Sequence, residues 1–268
     1  MNNEHLAKLV NQSGFPLQIK LMHQINSTAD RHGWKVMLYE HSWANSHEGD
    51  DGFIDIILTN KPGTIALLIE CKRVLDAPWL FINSDNDQKS RTRAKAWLTA
   101  ESINFRKCFN WADLQVTPAC PEAQFCVIQG QDQKSRPMLE RTAANIVSST
   151  EAFATEDRAD IIIHSGLCTY ISAIVTTAPL FLCDIPANGI SLKNGQADSQ
   201  SFTPHPFIRL RKQLSTRPLT SAPGMNSMMH QVRANQKERT VFIVNAEHIA
   251  DFLLELGVTS NSLDQHLR

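Results

Sequence analysis

Apolar residues recur along this chain with two different periods. Leu17, Leu21, Ile25 and Thr28 are spaced by three and four, with Met22 beside them, which predicts an amphipathic helix over 16–32. Pro16 suits the first turn of that helix, and Gly33 the residue just past its end. Residues 34–40 (WKVMLYE) predict a strand, and the polar 41–52 (HSWANSHEGDDG) a loop. Two apolar runs follow, Phe53–Leu58 and Ile65–Ile69, separated by Asn60-Lys61-Pro62-Gly63. Pro and then Gly at the second and third turn positions predict a type II turn, so the two runs should pair as an antiparallel hairpin.

Beyond the hairpin the pattern is less regular. Residues 79–82 predict a short strand, 88–108 a helix, and 123–129 another strand. Pro137 opens an expected helix reaching about Ala159. The segments 161–163, 170–176 and 180–185 are β-rich. Residues 1–14 suit a short helix or arm. Residues 186–240 read as irregular, a length that is either functional or mobile. A strand at 240–244 and a helix at 246–256, closed by Gly257, complete the chain. The fold class expected is α/β with a mixed central sheet flanked by helices, in one domain spanning 1–268.

The hairpin carries charge where a buried strand pair should be apolar. Asp55 interrupts the first run, and Glu70-Cys71-Lys72 ends the second. Strand alternation puts Glu70 and Lys72 on one face and Cys71 on the other. A hairpin centred between Pro62 and Gly63 sets Asp55 opposite Glu70. Cross-strand neighbours lie about 5 Å apart at Cβ, so two carboxylates there repel unless a cation compensates them. Hard oxygen ligands select Mg²⁺ or Mn²⁺, and a neighbouring lysine suits phosphate chemistry. A structural ion pair of Lys72 with either acid is the alternative. The acid-x-Lys spacing carries little by itself, because Asp87-Gln88-Lys89 and Asp132-Gln133-Lys134 repeat it in polar surroundings.

Composition narrows the field. The 268 residues suffice for a large core, with 42% hydrophobic and 20% charged residues. A net charge of −1 counts against a general coat on nucleic acid but not against a local basic groove. The six cysteines include no CxxC pair, as expected of reduced thiols in a cytoplasmic protein. The polar N-terminus lacks a signal-peptide core, and no apolar run approaches the roughly 20 residues of a membrane span. Without GxxxxGK[ST], GxGxxG or GxSxG, a nucleotide-driven motor and an elbow-type serine hydrolase are disfavoured.

The segments GFIDIILT and ALLIECK together resemble the PD-(D/E)XK nuclease superfamily, the restriction-endonuclease-like fold. The resemblance implies an αβββαβ core, expected over 15–130, with 131–268 as a C-terminal elaboration holding the irregular 186–239. It implies Asp55 and Glu70 as metal ligands, the carbonyl of Cys71 as a further ligand, and Lys72 as the catalytic lysine. Gln18 takes the place where many members carry a first-helix glutamate, and Glu40 is an alternative acid. The implied activity is Mg²⁺- or Mn²⁺-dependent hydrolysis of phosphodiester bonds in DNA, in restriction, defence or repair. A homodimer or a partner subunit fits the same resemblance. A non-catalytic nucleic-acid-binding or scaffold module on this fold is the competing expectation.

Two basic groups are candidate phosphate contacts. Lys89, Arg91, Arg93 and Lys95 would line one end of the helix expected over 88–108. Arg209, Arg211, Lys212 and Arg217 lie in the irregular region. His41 and His47 lie in the loop near the hairpin and could reach a metal there.

Overall fold

The computed structural model describes residues 2–45, 49–75, 77–83, 90–101, 107–129, 137–164, 166–214 and 234–267. Three helices open the chain, α1 (Asn3–Gln12), α2 (Phe15–Ser27) and α3 (Ala29–His32). Pro16 stands in the first turn of α2, where a missing N–H costs nothing, and Gly33 closes α3 in the left-handed conformation (φ 76°). A meander of β1 (Trp34–Asn45), β2 (Asp50–Asn60) and β3 (Ile65–Lys72) follows.

The hairpin centre falls where the sequence places it. β2 and β3 pair antiparallel from Ile56↔Ile69 to Thr59↔Ala66. The turn itself differs. Its hydrogen bond runs from Gly63 N to Asn60 O, which makes Pro62 the third residue of the turn and Gly63 the left-handed residue after it (φ 73°). The Asn60 side chain accepts from the amides of Thr64 and Ile65, fastening the loop from inside.

Next come β4 (Trp79–Asn83), β5 (Arg91–Glu101), β6 (Lys107–Cys120), β7 (Glu122–Ala123), β8 (Phe125–Ile128) and the 27-residue α4 (Met138–His164). The chain ends with β9 (Leu167–Thr176), β10 (Leu180–Asp184), β11 (Ser201–Pro204), β12 (Phe207–Gln213), β13 (Glu238–Asn245), α5 (Ile249–Glu255), β14 (Gly257–Val258) and α6 (Ser260–Leu267). A mixed ten-stranded sheet runs β1-β2-β3-β9-β13-β12-β7, with β5 and β6 joined through β9. β3 and β9 are parallel along their length, from Ile65↔Thr169 to Lys72↔Thr176. A second sheet, β11-β10-β4-β8, packs beside the first.

Helices cover both faces of the large sheet. Leu21 and Ile25 of α2 bury against Trp34, Ile56, Leu58, Leu67 and Ile69, in a cluster shared with Phe252 and Leu253 of α5. Leu139, Ala143, Ile146 and Val147 of α4 bury against Ile57, Ala66, Leu68, Tyr170 and Ile174 on the other. Alternate residues of β3 thus feed two cores, which is why its run reads as continuously apolar. Among the described residues, no helix is long and apolar enough to cross a membrane.

Several expectations need correcting. Residues 91–101, expected to be helical, form β5, whose Ala94, Ala96, Leu98 and Ala100 are buried in the α2-side cluster. Tertiary burial overrides the helix preference of Lys, Arg and Ala here. The expected loop at 41–52 is mostly strand, because Trp43 and Asn45 are buried and pair with Gly52 and Asp50. Ile161–Ile163 lie in the last turns of α4, since a short β-branched run does not distinguish strand from buried helix. β6 lacks a counterpart in the expected elements, and 186–240 holds β11, β12 and the start of β13. β3 takes its parallel neighbour β9 and its covering helix α4 from 131–268, the stretch expected as an elaboration.

Candidate functional site

β1, β2 and β3 each bring one acid to the same level of the sheet. Tyr39↔Ile56 and His41↔Ile54 are paired on β1 and β2, which brackets Glu40 against Asp55. The register of β2 and β3, carried one step past Ile56↔Ile69, brings Asp55 to Glu70. Neither position continues the regular ladder. Instead the side chain of Asp55 takes over from the backbone: its Oδ2 accepts the main-chain N–H of Cys71 at 2.6 Å. Lys72 Nζ donates to Glu70 Oε1 at 2.6 Å, as two residues on one face of a strand permit.

Gln18 closes the group from the helix side. It is buried in α2, and its Nε2 donates to Glu40 Oε1 at 2.7 Å and to the main-chain oxygen of Asp55 at 2.9 Å. Glu40 has a positive φ of 48°, the sole non-glycine residue in that region among the described residues. A left-handed glutamate is unfavourable by of order 1 kcal/mol or more, and surrounding structure must hold it. The Gln18 amide is one such hold.

The electrostatics follow from this geometry. Burial pushes the Asp55 carboxyl up to about 6, and the neighbouring Glu70 adds to the rise. The Cys71 N–H and Lys72 oppose it, and Glu40 reinforces it. Burial, then Asp55 and Glu70, hold the Cys71 thiol well above the ordinary thiol range, so it is not a thiolate nucleophile.

Among the described residues, no three His, Cys, Asp or Glu side chains stand grouped as a ready-made metal site. In kind, the donors fit a hard dication. Asp55 and Glu70 offer carboxylate oxygens and Cys71 a main-chain carbonyl; burial is the main reason the Asp55 carboxyl is raised, and the smaller contributions of Glu70 and Glu40 are negative charge that a dication would relieve.

The basic candidates lie elsewhere and are engaged. Arg91 lies 3.6 Å from Glu122, and Arg93 3.7 Å from Asp113, both on strand β5 rather than a helix face. Lys95 pairs with Asp113 at 2.8 Å, and Arg211 bridges Asp113 at 3.0 Å and Glu238 at 2.8 Å. Arg209 is 0% exposed. It donates to the carbonyls of Arg93, Val116 and Pro118, and its guanidinium lies 4.8 Å from the Phe242 ring centroid. In this position Arg209 is a core cross-link, which its place beside Arg211 in the sequence did not reveal. Lys212 pairs with Glu140. Lys89, Arg217 and His47 lie outside the described residues. His41 turns to α4, with Nε2 3.0 Å from Glu156 Oε2 and its ring edge-on to Phe153.

Sequence reasoning passed over the exposed aromatic residues beside the acids. Tyr39 precedes Glu40, Phe53 stands two before Asp55, and Phe15 lies one turn before Gln18, all more than half exposed. Strand alternation alone could not separate them from core positions. Comparison of the chain with protein families, with curated proteins and with solved structures found no match.

Proposed function

We propose that the chain is a metal-dependent nuclease of the PD-(D/E)XK type that hydrolyses phosphodiester bonds, with DNA as the substrate. One observation carries the reading: Asp55 on β2 stands at the level of Glu70 on β3, with Lys72 two residues on and joined to Glu70. The element order supports it. α2, β1, β2, β3, α4 and β9 follow the αβββαβ order of that superfamily, with β4 to β8 inserted between β3 and α4. In the strand order β1-β2-β3-β9, with β3 and β9 parallel, Asp55 and Glu70 lie on β2 and β3, between β1 and β9.

Asp55, Glu70 and the carbonyl of Cys71 would hold Mg²⁺ or Mn²⁺. Such an ion supplies charge neutralisation at the phosphate and a more acidic bound water. Lys72 Nζ orients the attacking water by donating to it, and offsets charge gathering on the phosphoryl oxygens. The Cys71 N–H keeps Asp55 Oδ2 turned toward β3. Gln18 holds Glu40 and the β2 backbone in place from α2.

Purified protein incubated with plasmid and single-stranded DNA in Mg²⁺ or Mn²⁺, beside Lys72→Ala, tests the reading. Cleavage by the native chain and its loss in Lys72→Ala is the expected result; equal cleavage by both overturns it. The uncharged Gln18 of α2, where many members of that superfamily carry a glutamate, favours a second reading, a non-catalytic nucleic-acid-binding module. Calorimetric titration with Mn²⁺ separates the two, since heat that vanishes in Asp55→Ala belongs to the nuclease and absence of heat to the module.

A further inference from the structure

The second sheet, β11-β10-β4-β8, has one face in the core and one outside it. Trp79 and Phe81 of β4, with Leu180 and Leu182 of β10, are buried in the cluster that α4 covers. Cys126 and Ile128 of β8 pack against the same cluster. By strand alternation the residues between them point the other way. The register sets these outward residues in two cross-strand rows. Phe125, Ile82, Cys183 and Phe202 are successive partners across all four strands. Val127, Leu80, Phe181 and Pro204 form the neighbouring row, two residues along. Each row spans three strand spacings, about 14 Å, and the rows stand about 7 Å apart.

Neither row contains a charged residue. Phe125 is 51% exposed, and Val127 and Phe202 are each 49% exposed. Pro204 is exposed, Leu80, Ile82 and Phe181 are half-buried, and Cys183 is buried. Lys212 Nζ lies 5.4 Å from the centroid of the Phe125 ring, but it is paired with Glu140. An apolar sheet face is unfavourable in water and is ordinarily buried under a second layer. The chemistry of this face selects its occupant. A nucleic acid or an anionic membrane surface is held by Lys and Arg, and the two rows offer none. β8 and β11 are the edges of this sheet and are four residues long, too short to template a long added strand. A flat, uncharged face is complementary to itself, as a two-fold contact between identical chains requires. The area agrees. Phe125 and Phe202 at half exposure offer roughly 100 Å² each, and the two rows together roughly 450 Å². Homodimer interfaces are about 65% apolar, so such a centre implies roughly 700 Å² per copy, close to the roughly 800 Å² of a stable interface.

We propose that the outward face of the second sheet is a homodimer contact, at which two copies of this chain stack β11-β10-β4-β8 face to face about a two-fold axis. Sheets packed in this way lie about 10 Å apart with interdigitated side chains. Phe125, Val127 and Phe202, the most exposed members of the two rows after Pro204 is set aside, supply the side chains that interdigitate. None of the eight residues belongs to the Asp55–Glu70–Lys72 site, so the contact is independent of the nuclease reading.

Sedimentation velocity and light scattering of the full chain across the micromolar range test the contact. The native chain of 30.1 kDa should run at twice that mass. Val127→Lys/Phe202→Lys puts an unpaired charge in each row and should raise the dimer dissociation constant roughly a hundredfold or more, leaving a monomer. The conservative Val127→Ile/Phe202→Tyr should stay dimeric. So should Leu254→Lys, which adds the same charge at a 55% exposed position on α5. Thermal melts check that each variant folds, and the single substitutions Val127→Lys and Phe202→Lys replace the pair if it does not. A native chain that stays monomeric throughout the range overturns the proposal. A folded lysine variant that stays dimeric does so too, since the copies then meet elsewhere. So does a native monomer whose lysine variant loses affinity for oligothymidylate or for phosphatidylcholine vesicles, because the face then serves that ligand.

Discussion

The main-chain N–H of Cys71 donates to Oδ2 of Asp55 across the β2–β3 hairpin at 2.6 Å. A side chain thereby replaces a carbonyl as the acceptor at the point where the regular ladder stops, after Ile56↔Ile69. The same bond orients a carboxylate toward Glu70 and keeps the end of β3 satisfied. The position of Asp55 is therefore part of the folding of the hairpin as well as of the site.

Removing that carboxylate should have opposite effects on stability and on metal binding. The folded carboxyl sits at about 6, above its ordinary 3.8, so the folded state holds the proton more tightly than the unfolded chain. This contribution to stability is fully present below 3.8 and is lost as pH rises through about 6, by of order 3 kcal/mol. Asp55→Asn removes the titration, so the metal-free melting temperature of the variant should fall less between pH 4 and pH 7 than that of the native chain. Mn²⁺ at pH 7 should raise the melting temperature of the native chain and leave Asp55→Asn unmoved.

Gln18→Leu should loosen the site without touching the acids. The substitution strips Glu40 Oε1 and the Asp55 carbonyl of a buried donor. Glu40 is exposed and water can replace the amide there, so the cost falls on the Asp55 carbonyl, about 1 kcal/mol. Urea denaturation should show that loss, and Mn²⁺ affinity should fall without disappearing.

Arg209→Met should test whether the second basic group belongs to the core. The guanidinium donates to three main-chain carbonyls, of Arg93, Val116 and Pro118, and covers the Phe242 ring. Its removal orphans those carbonyls, and the expected loss is about 3 kcal/mol or more in urea. Oligonucleotide affinity of the folded fraction should stay at the native value. A drop in affinity at unchanged stability would return Arg209 to the binding surface.

His32 makes the start of β1 sensitive to acid. Its Nδ1 accepts the N–H of Trp34 at 3.1 Å. Its Nε2 lies 3.0 Å from Thr28 Oγ1, which itself donates to Gln24 O, so Nε2 carries the ring proton. A second proton would sit on Nδ1 and break the bond to Trp34. Burial, with Arg31 adding, lowers the folded pKa below 6.5. The contribution is present above 6.5 and lost as pH falls through the lower folded value. The melting temperature should therefore fall more steeply below pH 6.5 in the native chain than in His32→Gln.

The sequence by itself determined the hairpin. Pro62-Gly63 between two apolar runs set its centre, and that centre set Asp55 opposite Glu70, because turn position and strand period are local quantities. The α/β class, the start of α2 and the end of α3 were legible for the same reason, through Pro16 and Gly33, but the break between the two helices at Thr28 was not. Only the tertiary structure decided which elements complete the sheet. Residues 91–101 favour helix by composition, yet they form β5 because Ala94, Ala96 and Leu98 are buried in the large cluster on that face of the sheet. Likewise β9 and α4 reach β3 from far along the chain, and no local pattern announces a pairing between Lys72 and Thr176. The basic residues show the limit most directly. Arg209 and Arg211 are two apart in sequence, but one is closed inside the core and the other is held between Asp113 and Glu238. A side chain's partners come from strands distant in sequence, so its burial and its free charge are properties of the assembled sheet.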